Sequence, residues 1–85
     1  MIRYVGILDG TDDVWGVRVP DLPGCHGGAS PQEAIADATS AAREWIEARI
    51  AKHLPIPNPS TVADLLRSGE IDRPGRESAV IVRHR

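Results

Sequence analysis

Four aspartates crowd the first quarter of the chain, Asp9, Asp12, Asp13 and Asp21, and Cys25-His26 follows soon after. Carboxylates in such number could hold the metal pair of a phosphoryl-transfer enzyme, which needs several of them converging on a site about 4 Å across. The first three, however, sit in Asp9-Gly10-Thr11-Asp12-Asp13, a stretch with the composition of a turn, where Asp is favoured because its side chain bonds nearby backbone N–H groups. The apolar stretches on either side centre on Tyr4, Val5, Trp15 and Val17 and offer no acid. Cys25-His26 has the residue types of a thiolate nucleophile and its base, but neighbours on a strand point to opposite faces. A structural metal takes about four ligands, and His53 and His84 lie far along the chain with no paired spacing. Cys25 therefore reads as a small buried residue. No catalytic residue, metal site or cofactor is expected.

Asp21-Leu22-Pro23-Gly24 offers a different chemistry, that of recognition. Pro20 and Pro23 fix φ and remove ladder donors, which ends the strand before them. Leu22 reads as an apolar residue exposed in a constrained loop, and a rigid loop loses little entropy on binding. Further on, Arg73, Arg76, Arg83, His84 and Arg85 give the C-terminal part a mild basic bias, read as a solvated tail. Lys and Arg total 10 against 12 Asp and Glu, a net charge of −2, so the basic excess of a dedicated nucleic-acid binder is missing and direct nucleic-acid binding is not expected. No apolar run approaches the ~20 residues of a membrane span, and Met1-Ile2-Arg3-Tyr4 leads into an alternating pattern rather than a signal peptide. One Cys cannot form an internal disulfide. A cytoplasmic protein without a membrane association is the expectation.

The elements that must position these residues follow from length and pattern. Eighty-five residues make one domain, 1–85. Its apolar content is 20 Val, Ile and Leu and 10 Ala, with two Trp, one Tyr and no Phe, which suits a thin sheet-plus-helix packing. Ile2–Leu8 and Val14–Val19 read as a hairpin about the Asp-rich turn, and Cys25–Ala29 as a short third strand weakened by Gly27-Gly28. Ser30-Pro31-Gln32-Glu33 matches a capping box with proline at the first helical position, opening a helix from Pro31 to about Lys52. Ile35, Ala38, Ala42, Trp45, Ile46 and Ile50 form its apolar stripe; Trp45 reads as core. His53-Leu54-Pro55-Ile56-Pro57-Asn58-Pro59 is extended. A short helix to Ser68 follows, with Asn58 or Ser60 as its N-cap and Gly69 beyond its end. Ser78–Arg83 is a last strand returning to the sheet by a right-handed crossover. The order is β-β-β-α-(α)-β, a two-layer α+β domain with one long helix on one face. Trp15, Val17, Val19, Ile35, Ala42, Ile46, Val80 and Val82 are the expected core.

The stretch Val17-Arg18-Val19-Pro20-Asp21-Leu22-Pro23-Gly24-Cys25, the small-residue run Gly27-Gly28-Ala29-Ser30, the helix start Glu33-Ala34 and the later Ile56-Pro57-Asn58-Pro59-Ser60 together resemble the HicB-like antitoxins of toxin–antitoxin modules. The resemblance covers essentially the whole chain. It implies a partial ribonuclease-H-like fold that binds and masks a small HicA-like mRNA-cleaving toxin, without catalysis of its own. Longer members carry a further DNA-binding segment; here the last strand is followed only by His84-Arg85, so no separate C-terminal DNA-binding domain is expected.

On this reading the toxin-facing surface draws on Asp12 and Asp13 in the hairpin turn, on Asp21, Leu22, Pro23 and Gly24, and on the helix residues Glu44 and Glu47. Residues 1–30 hold four acids against two bases, which would attract a basic partner. Replacing Asp12, Asp13 and Asp21 by Lys is expected to slow association and leave the fold intact. A homodimer or larger homo-oligomer is expected, because so small a core gains from association and an open sheet edge invites pairing. The alternatives are a homo-oligomeric scaffold without a toxin partner and a metal-dependent nuclease.

Overall fold

Alternation of apolar and polar residues builds the sheet, and the computed structural model describes residues 3–71 together with the backbone of Ile2 and of residues 78–84. β1 (Ile2–Thr11) and β2 (Val14–Arg18) form the expected hairpin, with β3 (Cys25–Gly28) added beside β2. The hairpin is longer than its apolar residues suggested. Asp9, Gly10 and Thr11 pair with Gly16, Trp15 and Val14, leaving Asp12-Asp13 as a two-residue turn. Backbone pairing needs no apolar side chain, and Asp12 tolerates the positive φ of 53° that so tight a turn demands.

Helix α1 (Pro31–Ala51) starts where the sequence placed it. The Ser30 hydroxyl accepts the Glu33 N–H at 3.2 Å, while the Glu33 carboxylate reaches back to the N–H of Ala29, one residue before the cap. Its buried face is Ala34, Ala38, Ala42 and Ile46. Ile35 and Trp45 sit on the flanks and Ile50 is 51% exposed. Small residues mark the line of closest approach to the sheet, so the bulky members of the expected stripe are displaced sideways. Gly28 serves the same approach: a Cβ there would lie 2.6 Å from the Glu33 Cβ and 2.9 Å from the Ala34 nitrogen.

The segment 53–59, with Pro55, Pro57 and Pro59, was expected to be extended after α1, and the chain turns at His53, before the first of these prolines. His53 takes a positive φ of 56°, its N–H bonds the Ile50 carbonyl, and the Leu54 N–H bonds that of Arg49, a Schellman arrangement with histidine where glycine is usual. Helix α2 (Val62–Ser68) is capped by Thr61 in a full capping box with Asp64, not by Asn58 or Ser60, and Gly69 adopts the left-handed conformation at its end. The Thr61 N–H, with the Thr61 hydroxyl as second donor, holds the Asp64 carboxyl below its ordinary range.

β4 (Ser78–His84) pairs antiparallel with β1, giving an antiparallel sheet in the order β3-β2-β1-β4 with α1 packed across it. The α+β arrangement is the expected one. Since β3 and β4 run in opposite directions, the handedness rule for parallel crossovers does not govern the connection. Tyr4, Val17, Val19, Leu22, Ala34, Ala38, Ala42 and Ile46 form the core between sheet and α1, with Trp15, Ile35 and Ile56 packed at its margin. The side chains of Val80 and Val82, and the 73–76 connection, lie outside the described residues. The opposite face is not bare. Val5 and Ile7 pack there against Leu65 of α2 and Ile71, so the second helix adds a partial third layer.

Candidate partner-binding surface

The sharpest local structure lies between β2 and β3. The Leu22 N–H donates to the Val19 carbonyl at 3.0 Å, closing a turn for which Pro20, at its second position, presets φ. That reversal swings Leu22 inward. Only 9% exposed, it belongs to the core beside Val19, Ala42 and Ile46. The expectation of an exposed Leu22 is therefore corrected: the turn that makes the loop rigid also buries its apolar residue.

Asp21 is also engaged. Its two carboxylate oxygens accept the Ser60 N–H and the Ser60 hydroxyl, each at 2.7 Å, clasping this loop to the segment that leads into α2. Asp21 therefore supports the fold, and its replacement by Lys cannot be expected to leave the fold untouched. A second tie runs nearby, where the buried Tyr4 hydroxyl donates to the Pro57 carbonyl at 2.7 Å. Burial, and then the Asp21 charge, hold that hydroxyl above its ordinary pKa of 10.0.

Pro23 and Gly24 remain exposed. They form the lip of a cleft of about 220 Å³ between this loop and α1. Val19, Leu22 and His26 complete the sheet-side wall; Ala38, Ala41, Ala42 and Trp45 form the helix-side wall. His26 Nδ1 stands 3.5 Å from the Asp37 carboxylate, joining β3 to α1 across one end. The Arg49 guanidinium lies 5.1 Å above the Trp45 ring and its Nε donates to the Pro55 carbonyl. Trp45 is thus a half-buried wall with a face toward the surface, not pure core. Glu33, Asp37 and Glu44 are exposed on the outer side of α1, and Glu47 lies one turn beyond Glu44, also exposed.

Asp12 and Asp13 are exposed at the far end of β2 from Asp21, beside Val14, which is 70% exposed. The structure therefore does not bring the aspartates together. Among the described residues no group of three or more His, Cys, Asp or Glu could hold a metal ion. Cys25 and His26 do point apart, but Cys25 is exposed, contrary to its expected burial. As the first residue of an edge strand it faces the side away from α1, where it lines a shallow hollow with Ile7, Asp9, Gly16 and Arg18. Arg18 there donates to the Glu70 carboxylate and carbonyl at 3.1 and 2.7 Å.

Over residues 4–77 the sequence matches the HicB-like antitoxin of bacterial toxin–antitoxin systems. The chain belongs to the HicB-like antitoxin family. No curated protein matches it at a significant level. In this HicB-like chain the matched residues take in the hairpin, the clasped loop, β3 and both helices. The cleft and both acidic clusters fall within that span. No helix among the described residues is long and apolar enough to cross a membrane.

Sequence reasoning named Leu22, Pro23, Gly24 and Glu44 but missed Ser60, Trp45, Ala41 and the His26–Asp37 pair as their companions. Ser60 lies 39 residues from Asp21, a separation no local pattern encodes. For Asp37 a signal existed, since it stands one position before Ala38 on the helix stripe and so at the margin of the buried face.

Proposed function

We infer that this chain is the antitoxin of a HicA-like RNA-cleaving toxin, which it binds and masks in the cytoplasm without catalysing a reaction itself. The observation that carries this reading is the family match over residues 4–77. The surface gives it a physical basis. A protein that cleaves RNA must present cations to the phosphate backbone, and carboxylates held on a rigid fold compete for those cations. Asp9, Asp12 and Asp13 offer them at the hairpin end, and Glu33, Asp37 and Glu44 offer them along α1. Pro23 and Gly24 contribute the exposed lip of the cleft against α1, at the other end of β2 from the hairpin turn, whereas Asp21 and Leu22 act from beneath by fixing its shape.

The same reading takes the chain as a homodimer. β3 is an edge strand with the sequence Cys-His-Gly-Gly, lacking the lysines, proline or bulge that commonly protect an edge from pairing.

Co-expression with a small basic HicA-like toxin tests the function. Growth restored by the wild-type chain, together with co-purification of the two proteins, supports masking. Continued growth arrest with both proteins present overturns it. Light scattering at tens of micromolar checks the dimer, which a monomer mass would refute.

A further inference from the structure

The cleft between the Val19–Gly24 turn and α1 combines three properties that packing alone does not require. Its walls are apolar, with Leu22 on the sheet side and Ala38, Ala41 and Trp45 on the helix. Its shape is held from outside by the Asp21–Ser60 clasp and the His26–Asp37 pair. The helix residues beside its lining include two exposed carboxylates, Asp37 next to Ala38 and Glu44 next to Trp45, and one arginine, Arg49, whose guanidinium already covers Trp45.

We propose that this cleft is a socket for one large apolar side chain of the partner toxin, presented on a segment that carries Lys or Arg beside it. The proposal deepens the antitoxin reading and rests on it. Its volume of about 220 Å³ corresponds to about seven waters at about 30 Å³ each. Those waters meet mostly carbon, so an apolar group that displaces them gains affinity. A pocket built in advance costs little ordering on binding, and a half-buried Trp in its wall, ringed by polar residues, has the anatomy of an interface hot spot. The acidic rim decides what accompanies the anchor. Basic neighbours are drawn in and acidic ones are repelled, which selects the cationic surface of an RNA-binding protein over a second copy of this chain, whose own rim would set carboxylate against carboxylate.

The experiment uses the full chain and a HicA-like toxin inactivated for cleavage, with binding followed by calorimetry. Ala41→Trp fills the socket from its helix wall; Ala36→Trp places the same bulk at an exposed position elsewhere on α1. Ala41→Trp should weaken binding about thirtyfold, the scale of a hot-spot residue, with its thermal midpoint unchanged, while Ala36→Trp binds as the wild type does. In the wild-type complex the indole N–H resonance of Trp45 should shift, and this second readout holds even if Ala41→Trp fails to fold. Wild-type affinity in Ala41→Trp, or an unmoved Trp45 resonance in a complex that does form, overturns the socket and leaves the antitoxin reading standing. Absence of any binding by the wild-type chain overturns both.

Discussion

Replacing Asp21 by Ala removes both acceptors of Ser60 at once, the one holding its N–H and the one holding its hydroxyl, each at 2.7 Å. A hydrogen bond to a charged group contributes about 1.5–3 kcal/mol when fully sheltered. Both residues here are half-buried, so water recovers part of the loss and the pair together is worth about 2–3 kcal/mol. An 85-residue chain has a total stability of about 4–13 kcal/mol, so the loss is a large fraction. With a urea slope of about 1 kcal/mol per molar for a domain this small, the midpoint should fall by about 2–3 M. Ser60→Ala gives up only the hydroxyl bond and should cost about 1 kcal/mol. In the double-mutant cycle the two losses should fail to add by about 1 kcal/mol, because the same bond is counted in each. Urea unfolding of the four proteins, followed by circular dichroism, provides the test. An Asp21→Ala loss below about 0.5 kcal/mol, or strict additivity, would refute the assignment of Asp21 to the fold.

Ile46 is fully buried under the sheet, and Ile46→Ala should lower unfolding free energy by about 2–5 kcal/mol; a loss under about half that range's floor would mean that the site collapses onto itself. Ser30→Ala removes the acceptor for the Glu33 N–H and should cost about 1 kcal/mol, which an unchanged denaturation midpoint would disprove. The buried Tyr4 hydroxyl has a pKa raised above 10.0, so the folded chain keeps a proton that the unfolded chain releases above that pH. Stability should therefore be level in this respect below pH 10 and fall as pH rises beyond it. Tyr4→Phe should lose that alkaline slope along with the bond to the Pro57 carbonyl, and a persistent slope would place its origin elsewhere. Replacing Asp12 and Asp13 by Lys, at exposed turn positions, should slow toxin association most at low salt and leave dissociation nearly unchanged; stopped-flow kinetics showing equal association rates would remove the hairpin end from the interface.

The fold was largely legible because its signals are local. Alternation marked the hairpin, Ser30-Pro31 marked the start of α1, and Gly69 marked the end of α2. What was not legible depends on residues far apart meeting. Leu22 looked exposed because its neighbours are turn formers, yet the turn they make is what aims it at Ala42 and Ile46. Asp21 looked like surface charge because Ser60, its partner, lies across a helix and a proline-rich segment. Thr61 displaced Ser60 as the N-cap for the same reason: the Ser60 hydroxyl was already committed to Asp21. Cys25 was read as buried from its type alone, whereas its exposure follows from the strand order, which puts β3 at an edge. The small-residue line Ala34–Ala38–Ala42 was underweighted because large apolar residues dominate a hydrophobic pattern, although close packing of a helix on a sheet favours the small ones.

Masking is the centre of the account, and it is measured most directly by RNA cleavage. A fixed amount of the HicA-like toxin, with a labelled RNA as substrate, is titrated with the purified wild-type chain. The account predicts that cleavage stops once the chain reaches stoichiometric amounts, and that the chain alone leaves the RNA intact with or without divalent cations. Undiminished cleavage at a large excess of the chain, or cleavage by the chain itself, would contradict it.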